Sequence, residues 1–122
     1  MQFNQSQSIY LQIADYVCEK ILLKQWKTDD KVPSVRDLAI QLEVNPNTVM
    51  RTYDWLQQLG IIYNQRGIGF FVAGDGLLNA LAQRKKEFLE KELPVFFRNL
   101  YLLDMAPDDL KAPFEQFKKQ NF

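Results

Sequence analysis

A mainly α-helical fold is predicted by this sequence: three helices closed by a two-stranded hairpin, then a tail of two helices. Three observations carry that prediction. A capped apolar stripe at helical spacing occupies 45–60. Two short β-branched and aromatic runs flank a glycine-containing turn within 61–72. Gly74-Asp75-Gly76 then separates these from a long stretch rich in leucine and phenylalanine. Apolar residues recurring at i, i+4 and i+7 mark a helix that buries one side, and short runs bounded by glycine mark strands.

Residues 1–7 are polar and expected to fray. Ser8 can cap a first helix running to about Gln25. Ile9, Ile13, Tyr16, Val17 and Ile21 would face inward, with Leu11, Cys18 and Leu22 widening the apolar side. Cys18 reads as a small buried hydrophobe. The connector Lys27–Val32 is charged, and Asp29 and Asp30 fit turn formers better than a catalytic acid pair. Ser34 and Asp37 make a capping box at the start of a second helix, whose buried stripe is Val35, Leu38, Ala39 and Leu42. Arg36 sits in the first turn, where a positive charge opposes the helix dipole. Either an anionic neighbour such as a phosphate or pairing with Asp37 accounts for it.

Ala39 to Val49 has the spacing of two helices joined by a tight turn, with Glu43 where glycine would be most at ease. Asn45 can cap the next helix and Pro46 fits its first position. Val49, Tyr53 and Leu56 form its inner stripe, and Gly60 stops it. Asn47, Thr48, Arg51 and Thr52 are predicted to lie outside that stripe, near the helix start. Short polar groups plus one arginine on a slim, capped helix match the base edges and phosphate oxygens of a DNA major groove.

Ile61-Ile62-Tyr63 and Phe70-Phe71-Val72 are predicted strands around a tip at 64–69. A hairpin in this place is a wing, so the architecture is a winged helix-turn-helix. Arg66 beside Gly67 suits minor-groove or backbone contact, and an ordinary solvated hairpin is the alternative. Beyond Gly76 a helix is predicted from about Leu77 to Leu103, kinked at Pro94. A last one starts near Pro107, with Leu110, Phe114 and Phe117 inward. Phe88, Leu89, Leu93, Phe96, Phe97 and Leu100 are too many apolar groups for so short a tail to bury. A two-fold dimer through 77–117 is therefore expected. The predicted domains are 1–74 for DNA binding and 75–122 for dimerisation. Arg84, Lys85 and Lys86 make a basic cluster that either reaches flanking phosphates or is a solvated face.

The 122 residues suffice for one small domain with an appendage. Fifteen Lys and Arg balance fifteen Asp and Glu, and 1–74 alone holds seven of each. Placement rather than net charge must then supply any attraction to DNA, with Arg36, Arg51 and Arg66 expected on one face. No apolar run approaches the ~18 residues of a membrane span, and the single cysteine cannot form an internal disulfide. A soluble, cytoplasmic protein is expected. With no histidine and no phosphate-cradling glycine loop, neither an enzyme, a cofactor nor a His/Cys metal site is expected.

Ile9-Tyr10-Leu11-Gln12-Ile13, Pro33–Ala39, Val44–Tyr53, Leu59-Gly60-Ile61 and Gly67–Val72 together resemble the winged helix-turn-helix of GntR-type bacterial transcription regulators over about 8–73. The short tail is similar to that of the YtrA-like subfamily, whose members often regulate genes of ABC transporters. The resemblance implies DNA contacts by Ser34, Arg36, Asn45, Asn47, Thr48, Arg51, Thr52, Arg66 and Gly67. The symmetry of the expected homodimer motivates an inverted-repeat operator, since two related helices should read two related half-sites, and whether a small-molecule effector binds is left open. Asp29 replaces a usual glycine and Val32 a leucine, while Asp104 and Ala106 stand for the tail's usual glycine and cap serine. Overall neutrality supports an alternative function, a winged-helix protein-interaction module that never touches DNA.

Overall fold

The computed structural model describes Phe3 and residues 7–122, and the prediction for the first residues otherwise lies outside them. The chain forms two compact units, one through Arg84 and one from Lys85 to Phe122.

The first unit holds α1 (Ile9–Leu22), α2 (Val35–Leu42), α3 (Pro46–Gln58), β1 (Ile62–Gln65) and β2 (Gly69–Val72). α1 is shorter than predicted because Lys24 turns left-handed (φ 61°) and the amides of Gln25 and Trp26 fold back on the Lys20 carbonyl. Ser8 stands at the N-cap without a side-chain bond, and Ile9 is 46% exposed rather than inward. Ile13, Val17, Cys18 and Ile21 do face the core. They meet Leu38, Ala39 and Leu42 from α2, Val49, Tyr53 and Leu56 from α3, and Ile61, Ile62 and Val72 from the wing.

Ser34 Oγ accepts from the Asp37 amide at 3.0 Å, the forward bond of the predicted capping box. Glu43 adopts φ 56° and ψ 49°, the left-handed turn its position requires, and its amide and that of Val44 close α2. The wing is an antiparallel pair in register from Ile62↔Val72 to Gln65↔Gly69. Its strands reach further than predicted. The turn contracts to Arg66-Gly67-Ile68, with Gly67 at φ 78° and the Ile68 amide donating to the Gln65 carbonyl.

The connector contributes more than a turn. Asp29 N and Val32 N donate to the carbonyls of Val72 and Phe70, Val72 N donates to Asp30 O, and Lys31 bridges Phe71. The segment thus lies along the outer edge of β2. Asp29 is left-handed (φ 66°), which explains why glycine would suit that position, and its carboxylate accepts from the Tyr63 hydroxyl at 3.1 Å.

The compact unit does not end at 74. The start of α4 (Gly76–Glu87) belongs to it: Gly76 and Ala80 are buried, and Asn79 Nδ2 donates to Gly60 O at 2.9 Å. A Cβ on Gly76 would lie 2.6 Å from the Ile61 carbonyl oxygen, so only glycine lets the helix start this close to the wing. Arg84 pairs with Asp15 at 2.8 Å, which ties it to α1 instead of leaving it in a solvated basic cluster.

In the second unit, a π-helical turn (Phe88–Glu92) precedes α5 (Leu93–Leu102), in place of a simple kink at Pro94. Pro94 lacks an amide proton and would press on the Glu90 carbonyl in a regular helix. The wider turn relieves both problems. Asp104 is left-handed (φ 54°) and ends the segment. A single 3-10 turn (Pro107–Leu110), closed by Ala106 N donating to Asp109 Oδ2 at 2.8 Å, leads into α6 (Lys111–Asn121). Pro113 falls in the first turn of α6, where no amide is needed. Phe114 and Phe117, predicted inward, are 58% and 53% exposed, and Leu110 is half-buried. Leu100 is buried within the chain, Leu93 is half-buried, and Phe88, Leu89, Phe96 and Phe97 are exposed. Among the described residues no helix is long and apolar enough to cross a membrane.

Candidate nucleic-acid interface

α3 begins as its sequence dictates. Asn45 Oδ1 accepts from the Asn47 amide at 2.8 Å, and Pro46 occupies the first turn. That turn carries no acidic side chain, so the positive end of the helix dipole is not neutralised from within. Val49, Tyr53 and Leu56 are fully buried, which fixes the rotation of the helix about its axis. Tyr53 is anchored twice. Its hydroxyl donates to the Pro33 carbonyl at 2.6 Å, and its ring meets Phe70 edge-on at 4.9 Å. One residue of α3 is thereby bound to the entry of α2 and to the wing. Burial holds the Tyr53 phenol far above its ordinary ionisation range, with Tyr16 adding to the effect.

With that rotation fixed, Asn45, Asn47, Thr48 and Arg51 line an open groove of about 400 Å³ together with Ser8, Ile9 and Tyr10. Among the described residues no carboxylate lines it. Asn45, Asn47 and Arg51 are exposed and Thr48 is half-buried. The Arg51 guanidinium carbon stands 3.8 Å from the centre of the Tyr10 ring. The groove therefore offers amide, hydroxyl and guanidinium groups, the set that suits base edges and phosphate oxygens.

Thr52 departs from its predicted position. It is fully buried, and its hydroxyl lies 2.9 Å from Tyr10 O and 3.0 Å from Thr48 O, with one proton shared between the two carbonyls. Three positions after Val49, it lies only about 60° from the inner stripe on a helix of 3.6 residues per turn. It joins α3 to α1 and has no surface to offer a ligand. Ser34 and Arg36 are exposed at the start of α2, and Arg66 and Gly67 are exposed at the wing tip. None of these four lines the α3 groove. Ser8 and Tyr10 do, and neither was singled out from the sequence as a site residue. Tyr10 could have been noticed as an aromatic residue off the inner stripe of α1. Among the described residues no group of His, Cys, Asp and Glu is placed to hold a metal ion.

Residues 9–72 match the model of the gntR family of bacterial regulatory proteins. The chain is 50% identical to the uncharacterized HTH-type transcriptional regulator YhcF of Bacillus subtilis (strain 168), over 95% of this chain and 94% of that one. It is 36% identical to the HTH-type transcriptional repressor YtrA of the same organism, over 72% of this chain and 67% of the relative. A crystal structure of a GntR-family regulator from Bacteroides thetaiotaomicron superposes with a TM-score of 0.71 at 43% identity, covering 94% of this chain and all of that one. A match over more than half its length and a relative spanning nearly all of it agree with the winged unit and its groove: the chain belongs to the gntR family of bacterial transcriptional regulators, with a DNA-binding helix-turn-helix domain.

Proposed function

We propose that the chain is a sequence-specific regulator that binds an inverted-repeat operator as a homodimer. The observation that carries this reading is the clustering of Asn45, Asn47, Thr48 and Arg51 in a carboxylate-free groove at the capped start of α3. Ser34, Arg36, Arg66 and Gly67 are assigned to flanking contacts, with phosphates positioning the domain and α3 reading bases. The exposed Phe88, Leu89, Phe96 and Phe97, beside Leu93 and Leu100, support dimerisation through the tail. Two related recognition helices would then read two related half-sites about one DNA turn apart. The resemblance of the tail to the YtrA-like subfamily extends the proposal to transporter genes as targets, and regulation of bacterial DNA extends it to the cytoplasm as location.

Selection of bound duplexes from a random pool tests the reading. Arg51→Ala is expected to weaken binding to the selected site by about 1–3 kcal/mol, roughly five- to 150-fold. Binding is also expected to fall steeply with salt as phosphate counterions are released. Affinity unchanged in Arg51→Ala would remove that residue from the site. A free monomer at micromolar concentration in light scattering would remove the dimer. The even charge balance of 1–74 favours a second reading, a protein-interaction module, for which no duplex would be enriched at all.

A further inference from the structure

We propose that Tyr10 is a positioning residue for Arg51, holding the guanidinium in its DNA-reading pose without itself contacting DNA. Tyr10 has this role only if Arg51 contacts DNA as proposed above. The guanidinium carbon lies 3.8 Å from the ring centre, close enough for an attractive cation–π contact. The five N–H donors of arginine lie in the guanidinium plane, and its faces carry none. A ring against one face therefore leaves the donor edge free for a base or a phosphate. A long side chain that is already parked also loses less rotamer freedom on binding.

The platform is itself held by the helix it serves. The Tyr10 carbonyl accepts from Thr52 Oγ1 at 2.9 Å, and Thr52 is the buried neighbour of Arg51. This bond uses the backbone of Tyr10, so substitutions of its side chain leave it in place. Tyr10 is half-buried in the groove wall, and Tyr10→Phe keeps its ring there.

The full chain is titrated by fluorescence anisotropy against a selected duplex, as wild type, Tyr10→Phe, Tyr10→Leu, Arg51→Ala and the double variant Tyr10→Leu/Arg51→Ala. Thermal melts check that each is folded. Tyr10→Phe keeps the aromatic face and is expected to bind like wild type. Tyr10→Leu is expected to bind about two- to fivefold more weakly, the size of an exposed cation–π contact. That loss should vanish once Arg51 is alanine. Tyr10→Gln is a second ring-free variant with the same expectation, for use if the leucine protein melts early. The proposal is overturned if ring-free variants bind like wild type while Arg51→Ala does not, or if their loss is the same with and without Arg51. It is equally overturned if Tyr10→Phe loses as much as Tyr10→Leu, which would make the phenol a direct DNA contact. If Arg51→Ala changes nothing, the DNA-reading role of Arg51 fails, and the role of Tyr10 with it.

Discussion

Tyr53→Phe removes one oxygen atom from the best-anchored residue of α3 and leaves its ring in place. The lost bond, 2.6 Å to the Pro33 carbonyl, is short. A neutral hydrogen bond contributes about 1 kcal/mol net, and a buried acceptor left without a partner costs about 1–3 kcal/mol. Pro33 is only half-buried, so water can partly replace the phenol. The expected loss is therefore about 1–2 kcal/mol. For a unit of this size that corresponds to roughly 4–15 °C in melting temperature. Trp26 and Trp55 report unfolding in urea, and the midpoint should fall with an unchanged slope. A second arm uses pH. The native phenol ionises well above the ordinary value near 10, so as pH rises the unfolded state loses its proton first. Stability from this group is fully present below about pH 10 and declines as pH rises beyond it. Tyr53→Phe should flatten that decline. A wild-type urea midpoint in the variant, or an equally steep alkaline loss, would refute the reasoning.

Other substitutions test separate parts of the fold. Gly76→Ala would place a methyl 2.6 Å from the Ile61 carbonyl oxygen and 2.9 Å from Val72 Cγ1, and is expected to cost about 1–3 kcal/mol in urea unfolding. Glu43→Gly relieves a left-handed backbone and should raise stability by up to about 1 kcal/mol, with the gain limited by the freer unfolded chain. Thr52→Val removes the hydroxyl proton that the Tyr10 and Thr48 carbonyls share and should lower stability by about 1–2 kcal/mol, while the salt dependence of DNA binding stays as in wild type.

The winged unit was legible where its determinants are local. Asn45, Pro46, Val49, Tyr53, Leu56 and Gly60 each act within a turn or two of α3, and the structure uses every one as expected. Thr52 misled because its polarity suggested a surface place, although its helical phase put it beside the stripe. The pairing of the Asp29–Val32 segment was illegible for a related reason: its charged side chains say nothing of amides that pair with β2. Left-handed Asp29 and Asp104 were signalled only as places where the family usually has glycine. In the tail, Pro94 announced an irregularity, but whether it resolves as a kink or a π-helical turn depends on packing that periodicity does not encode. The exposure of Phe114 and Phe117 likewise follows from how α6 lies in its own unit, not from the spacing of the two residues.

By lending its backbone to β2, the Asp29–Val32 segment also occupies amides that a stranger could otherwise use. A two-stranded ribbon with a bare flank is an invitation to add a strand from another molecule. Here the flank is taken by the chain itself, with Lys31 as the residue bridged to Phe71. On its β2 side, the hairpin proposed above to touch DNA can in this way stay available without inviting a further strand.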